Sequence, residues 1–313
     1  MAEKIICVVG PTACGKTKLG VLLAKRYDGE VVSADSMQIY KGMTIGTAAP
    51  TAEEMEGVPH HMIAVADPAE QWSAARYARA AVPIVDDILR RGKRPILVGG
   101  TGLWLDAVVQ GRTFAGGHAG GAVRRELQAQ LAREGIGPLL EELRQVDPEA
   151  AERLHPADEK RILRALEVYR ETGKTISAHN AETRDLPPRY DAVWIGLQFR
   201  DRADMKTMID RRVDAMMAAG LPEETRRLRA AGVFDLCPTA AQAIGYKELF
   251  PWLDGHATRA EAVEALKTAT RRYAKRQTTW FAARPYVTWV DADAGDRARN
   301  FEDIVNNAES LFS

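Results

Sequence analysis

Ile5-Ile6-Cys7-Val8-Val9-Gly10-Pro11-Thr12-Ala13-Cys14-Gly15-Lys16-Thr17 is the stretch from which the rest of the chain can be read. Its apolar run, Lys4 to Val9 bounded by glycine, predicts a short strand buried on both faces. Gly10 to Thr17 fits the phosphate-loop pattern GxxxxGK[ST], and Lys18 to Arg26 continues as an amphipathic helix through Leu19, Leu22 and Leu23. In that context glycines let a loop wrap closely with its amides pointing inward, and the helix N-terminus adds positive potential. Lys16 adds a full charge, and the Thr17 hydroxyl can hold Mg²⁺. The flanking strand and helix favour a site for a diphosphate or triphosphate over a glycine-rich turn that binds nothing.

Working outward, Glu30 to Ala34 predicts a second strand ending at Asp35, and residues 73–91 an alanine-rich helix. Pro95 to Val98 predicts a third buried strand, running into Gly99-Gly100-Thr101-Gly102. Strands alternating with helices imply a parallel sheet. NTP-hydrolysing relatives of such loops carry an aspartate at a strand end to help hold the metal. None follows Val98, which fits a diphosphate that leaves better than a phosphoryl donor. The texture changes near Gly111: Gly116 to Gly121 (GGHAGG) predicts a flexible joint, and Arg124 to Thr172 is helical and mixed in charge. Ile162, Leu163, Leu166 and Tyr169 share one helix face, with Gly173 as its cap. Pro187-Pro188 then punctuates, Val193 to Phe199 is strand-like, helices resume from Arg202, and a last strand falls near Tyr286 to Val290. The expected fold is α/β: a phosphate-loop NTPase-like parallel-sheet core over residues 1–112 and 190–313, with a helical insertion domain over 113–189.

Composition bounds the function. The chain has 313 residues, 46% hydrophobic and 27% charged, the profile of a soluble globular protein. Lys+Arg and Asp+Glu both number 43, so total charge gives no sign of a nucleic-acid partner, and any basic surface must be local. Three cysteines (Cys7, Cys14 and Cys237) without metal-ligand spacing suit a reducing compartment. No apolar stretch approaches membrane-spanning length, so a cytoplasmic protein is expected.

Asp35 ends a strand on the carboxyl edge of the sheet, where α/β proteins bind ligands. A carboxylate there can accept a proton from an attacking group, or it can cap a turn, since Asp35-Ser36 is good turn chemistry. Read with its neighbours, DSMQIYKGMTIGTAAP (Asp35 to Pro50) resembles a signature of the tRNA dimethylallyltransferases, also called tRNA isopentenyltransferases. So do GPTACGKT (Gly10 to Thr17), LVGGTGLWL (Leu97 to Leu105), DPEAAERLHPADEKRILRALEVYRETGK (Asp147 to Lys174), QAIGYKE (Gln242 to Glu248) and AKRQTTWF (Ala274 to Phe281). The six blocks stand in the family's order across nearly the whole chain. Departures are small: Cys14 replaces a usual serine, Ala49 a frequent lysine, and GGHAGG a link with proline and aspartate. No C-terminal zinc-finger extension is seen, so the bacterial form is the expected match.

The resemblance implies a prenyl transferase that moves a dimethylallyl group from dimethylallyl diphosphate to N6 of the adenosine 3′-adjacent to the anticodon in tRNA. Gly10, Thr12, Ala13, Cys14, Gly15, Lys16 and Thr17 would take the diphosphate with Mg²⁺, held in part by Thr17. Asp35 would be the general base, Arg212 a second cation on the diphosphate, and Thr101 a contact to the target adenosine. Contacts to the anticodon stem-loop would come from Asp35, Ser36, Met37 and Gln38, and from Gln242, Ala243, Ile244, Gly245, Tyr246 and Lys247. In the insertion they would come from Arg124, Glu159, Lys160, Arg161, Ile162 and Leu163. A monomer is expected.

From their chemistry alone, Lys160, Arg161 and Arg164, and Arg271, Arg272, Lys275 and Arg276, read equally as phosphate contacts or as solvated helix faces. Without carboxylate or cysteine at ligand spacing, His60-His61 reads as structural rather than metal-binding. Trp280 and Phe281 read as helix packing rather than base stacking. Competing functions are a prenyl transferase acting on free AMP or ADP, a phosphate-loop small-molecule kinase, and a non-catalytic RNA-binding protein. The insertion argues against the first, and the missing strand-end carboxylate against the second.

Overall fold

A computed structural model of the chain describes residues 4–112, 114, 121–184, 187–293, 295 and 300–306. The expected joint at Gly116 to Gly121 lies outside them except for Gly121. Two compact units emerge: Met1–Val109 with Arg189–Ser313, and Gln110–Pro188.

The first unit is built on one six-stranded sheet in the order β3-β2-β4-β1-β5-β6. Its strands are β1 (Ile5–Val9), β2 (Gly29–Ser33), β3 (His60–His61), β4 (Arg94–Val98), β5 (Ala192–Gln198) and β6 (Val287–Asp291). Every pairing is parallel, and β1 sits between β4 and β5, with Ile6 opposite both Ile96 and Val193. Strands buried on both faces need continuous apolar runs, which is why IICVV and PILV read so plainly. Helix α1 (Lys16–Arg26) covers β4 and β2 closely: a Cβ on its Gly20 would fall 2.6 Å from Val98 Cγ2. Around the sheet follow α2 (Ala52–Met55), α3 (Ala74–Arg90) and α4 (Gly102–Val109). The core joins Ile6, Val8, Leu19, Leu23, Ile96 and Ile195.

The second unit holds α5 (Ala122–Glu134), α6 (Ile136–Val146), α7 (Pro148–Arg153), α8 (Glu159–Thr172) and α9 (Ile176–Arg184). Its own core gathers Leu127, Leu139, Leu143, Ile162 and Leu166. Asp147 caps α7 and also accepts the Ser177 N–H at 3.1 Å, joining α7 to α9. The chain then returns to the first unit for α10 (Arg202–Ala218), α11 (Leu221–Ala230), α12 (Val233–Leu236), α13 (Phe250–Leu253) and the long α14 (Arg259–Ala282). None of the described helices is long and apolar enough to cross a membrane.

The edge strand β3 has no sequence signal, because two histidines carry no periodicity. It forms because Glu30, buried in β2, gathers charge around itself. Arg91 donates to both Glu30 oxygens at 2.5 and 2.8 Å, and His61 Nε2 lies 2.8 Å away. The Arg91 guanidinium foremost, helped by His61, holds the Glu30 carboxyl at about 2, against an ordinary 4.5. A depressed pKa means stability present above pH 4.5 and lost progressively as pH falls toward 2. Chemical denaturation across pH 2–7 is expected to show that loss in the wild type, and a shallower slope in Glu30→Gln.

Candidate functional site

The phosphate loop leaves β1 at Gly10, where φ is 136° and a Cβ would fall 2.4 Å from the Leu197 carbonyl oxygen of β5. Only glycine fits there. The loop also turns left-handed at Ala13 (φ 67°) and at Gly15 (φ 95°), the N-cap of α1. These turns direct the first amides of α1 into the concavity, with no acidic side chain in the first helical turn to offset them. Lys16 folds back over its own loop, its Nζ donating to the Gly10 and Pro11 carbonyls at 3.0 and 2.7 Å. Burial lowers the Lys16 pKa; Cys14 opposes that shift, the Arg212 charge adds to it, and Asp35 opposes it. The Thr17 hydroxyl makes no hydrogen bond among the described residues. The Thr12 N–H donates to Gln277 Oε1 at 2.8 Å. Only the Thr12 hydroxyl is left for a ligand.

Beside the loop, β2 and β4 end against each other. The Ala34 N–H donates to the Val98 carbonyl at 2.8 Å, and Gly99 is pressed so closely that a Cβ would lie 2.1 Å from Ala34 O. Asp35 follows, and its Oδ1 accepts the Met37 and Gln38 N–H groups at 2.9 and 3.4 Å. The turn role is therefore real, yet it uses one oxygen; Oδ2 accepts no hydrogen bond among the described residues. Thr101 Oγ1 accepts the Ser36 N–H at 3.1 Å and donates to Ser36 Oγ at 3.3 Å, so Thr101 and the Asp35 turn are neighbours. Arg212 enters from α10. Burial lowers its pKa, and the nearby Asp35 carboxylate is the largest influence opposing that. Lys16, Arg212 and Asp35 thus share one electrostatic site at the carboxyl edge of the sheet.

Three residues of this site escaped the sequence reading. Glu224 of α11 is a buried carboxylate that accepts the Thr44, Ile45 and Gly46 N–H groups at 3.0–3.2 Å. It also accepts the Tyr246 O–H at 2.8 Å. It shapes the loop after Asp35, whose other end is held by Gln38, donating to Ala48 O at 3.1 Å and accepting from Ser33 Oγ at 3.1 Å. Tyr273 of α14 lies beside Thr101, Gln277 and Asp35; burial, then the Asp35 charge, raises its pKa. Gln277 is the third. All act over long sequence separations, so no local pattern announces them.

Among the residues proposed to meet RNA, the structure separates surface from core. Glu159, Lys160 and Arg161 are exposed at the start of α8, whereas Ile162 and Leu163 are buried in the core of the second unit. Ala243 and Tyr246 are likewise buried, leaving Gln242 and Lys247 as the exposed side chains of that segment. The side chains of Ile162, Leu163 and Ala243 are engaged in apolar packing, and that of Tyr246 in its bond to Glu224, which leaves their backbone for any ligand. Arg124 lies 3.9 Å from the buried Glu167, which also pairs with Arg164 at 2.8 Å. Arg271 is committed to Asp210 and Glu264, while Arg272, Lys275 and Arg276 stand exposed on α14. Phe281 is core; Trp280 is 38% exposed.

The fold and site define a phosphate-loop α/β protein in which two basic side chains and Asp35 stand together, while β4 runs into Gly99-Gly100-Thr101 with no carboxylate following it. The IPP transferase family model matches residues 38–284. The chain belongs to that family. A relative from Caldanaerobacter subterraneus subsp. tengcongensis, a tRNA dimethylallyltransferase, is 47% identical over 294 residues, covering 94% of this chain and 93% of its own. The solved tRNA isopentenylpyrophosphate transferase of Bacillus halodurans is 43% identical, with TM-score 0.73 over 99% of this chain and 96% of its own. A eukaryotic dimethylallyltransferase acting on tRNA is 28% identical, with TM-score 0.83 over 99% of this chain and 80% of its own.

Removing the Glu224 carboxylate strands three loop amides and a phenol. Glu224→Ala is expected to lower stability by about 2–4 kcal/mol in urea titration. It is also expected to open the chain to limited proteolysis between residues 40 and 50, which leaves the wild type intact.

Proposed function

We propose that the chain transfers a dimethylallyl group from dimethylallyl diphosphate to N6 of the adenosine 3′-adjacent to the anticodon in tRNA, releasing diphosphate. One observation carries this reading. Two basic side chains and the open Oδ2 of Asp35 share a phosphate-loop site in which the neighbouring strand β4 ends in glycines rather than in a metal-holding aspartate. Family membership and its tRNA-acting relatives support the acceptor.

In this reading the diphosphate lies on the amides from Ala13 to Thr17, with Lys16 and Arg212 neutralising it. Mg²⁺ keeps few protein ligands when phosphates supply the rest, so the unbonded Thr17 hydroxyl is a fitting donor. When bound, the ion adds charge neutralisation to the leaving group. The N6 amine is a poor nucleophile because its lone pair is shared with the ring. As the N6–C1 bond forms and the C1–O bond breaks, the electron pair leaves with the diphosphate and the N6 proton passes to Asp35 Oδ2. Thr101, fixed by Ser36, stands beside Asp35 to orient the adenosine. Gln38, Gln242, Lys247 and, in the insertion, Arg124, Glu159, Lys160 and Arg161 supply the remaining tRNA contacts. We assign this work to the cytoplasm, where tRNA is matured and used.

Asp35→Asn keeps the turn, because its carbonyl oxygen still accepts from Met37, but it cannot take the proton. Labelled dimethylallyl diphosphate is expected to enter an anticodon stem-loop in the presence of Mg²⁺. The rate should fall about 10²–10⁴-fold in Asp35→Asn at unchanged stability. Chelation of the metal should abolish transfer. Label entering AMP or ADP, run in parallel, instead of the RNA would move the activity to a free-nucleotide acceptor.

A further inference from the structure

We propose that Gln277 is a positioning residue for the transfer, joining the donor loop to the acceptor turn through one buried side chain. Gln277 lies on α14 and is 4% exposed. A buried amide has to satisfy both its ends, and here the two ends reach different loops. Oε1 accepts the Thr12 N–H of the phosphate loop at 2.8 Å, and Nε2 donates to the Gly100 carbonyl at 3.3 Å. Gly100 lies in the turn after β4 that carries Thr101. Contact is so close that a Cβ on Gly100 would fall 1.9 Å from Gln277 Nε2, so a larger residue there would displace the glutamine amide. One helical turn earlier on α14, Tyr273 stands beside Thr101 and Gln277.

Two consequences follow for a site where diphosphate and adenosine meet. The Thr12 amide is withdrawn from the ligand, leaving the diphosphate to the amides from Ala13 onward. More important, pairing of β1 with β4 brings the phosphate loop and the Thr101 turn side by side, and one glutamine then ties the two loops at a fixed separation. Alkyl transfer needs its reacting atoms at near-contact distance, and displacements of about 1 Å can cost roughly 10²-fold in rate.

The inference rests on the transfer reaction proposed above, and the test separates the two. Gln277→Met keeps length and volume while removing both hydrogen bonds. Phe281→Leu, on the same helix and buried in the core, controls for loss of stability alone. Steady-state transfer to the stem-loop and calorimetric binding of inorganic diphosphate with Mg²⁺ are measured for each. Gln277→Met is expected to raise KM for dimethylallyl diphosphate about tenfold and lower kcat about 10²-fold. It should also weaken diphosphate binding, while Phe281→Leu leaves all three unchanged. Wild-type KM, kcat and diphosphate affinity in Gln277→Met would overturn the positioning role and leave the transferase standing. So would equal effects in the two variants. Absence of transfer in the wild type would overturn the transferase, and the diphosphate titrations would still decide for or against Gln277.

Discussion

At the carboxyl edge of the sheet, backbone lies on backbone where no side chain fits. Gly10 passes the Leu197 carbonyl and Gly99 passes the Ala34 carbonyl, each at a distance that a single methyl would close. The first fits the β1 loop against β5 and the second closes the end of β4 on that of β2, while the Gly99 N–H donates to Val8 O of β1. A parallel sheet presents all its strand ends in one direction, so residues far apart in the chain arrive on one rim. What remains is to hold each loop in a single conformation, and buried polar side chains from the C-terminal helices do that.

Glu224 and Gln277 work by the same physics. Each is withdrawn from water, where an unpaired carboxylate or amide is costly, and each recovers that cost by accepting loop N–H groups that also need partners. Glu224 organises the loop after Asp35, and Gln277 ties the phosphate loop to the Thr101 turn. The charges that matter for chemistry are kept apart from this scaffolding. Lys16 and Arg212 stay partly desolvated beside Asp35, where low local dielectric strengthens electrostatic interactions. Asp35 belongs to both systems, with one oxygen holding its turn and the other open.

The second unit shows a different division of labour. Its helices bury Ile162 and Leu163 in a core of their own, which turns Glu159, Lys160 and Arg161 outward on the first turn of α8. Amphipathic periodicity predicts that split. The resemblance assigns the whole segment to RNA as a block, and burial resolves it into core and surface.

Much of the molecule was legible because its signals are local. The run IICVV, the spacing GxxxxGK[ST] and the alternation of strands with helices depend on residues within a few positions of one another, and they give the phosphate loop and the parallel α/β core. Asp35 could be placed at a strand end on the same grounds, though its two roles could not be apportioned. The edge strand at His60-His61, the carboxylate of Glu224 under the acceptor loop and the amide of Gln277 between two loops left no such trace. Their partners lie about 30 to 265 residues away, and an isolated Glu or Gln on an amphipathic helix looks the same whether it faces water or a buried loop. Hydrophobic patterning determined which segments are buried. Which polar side chain meets which loop was decided only when the sheet had brought those segments to one edge, because hydrogen bonds are read across space and not along the chain.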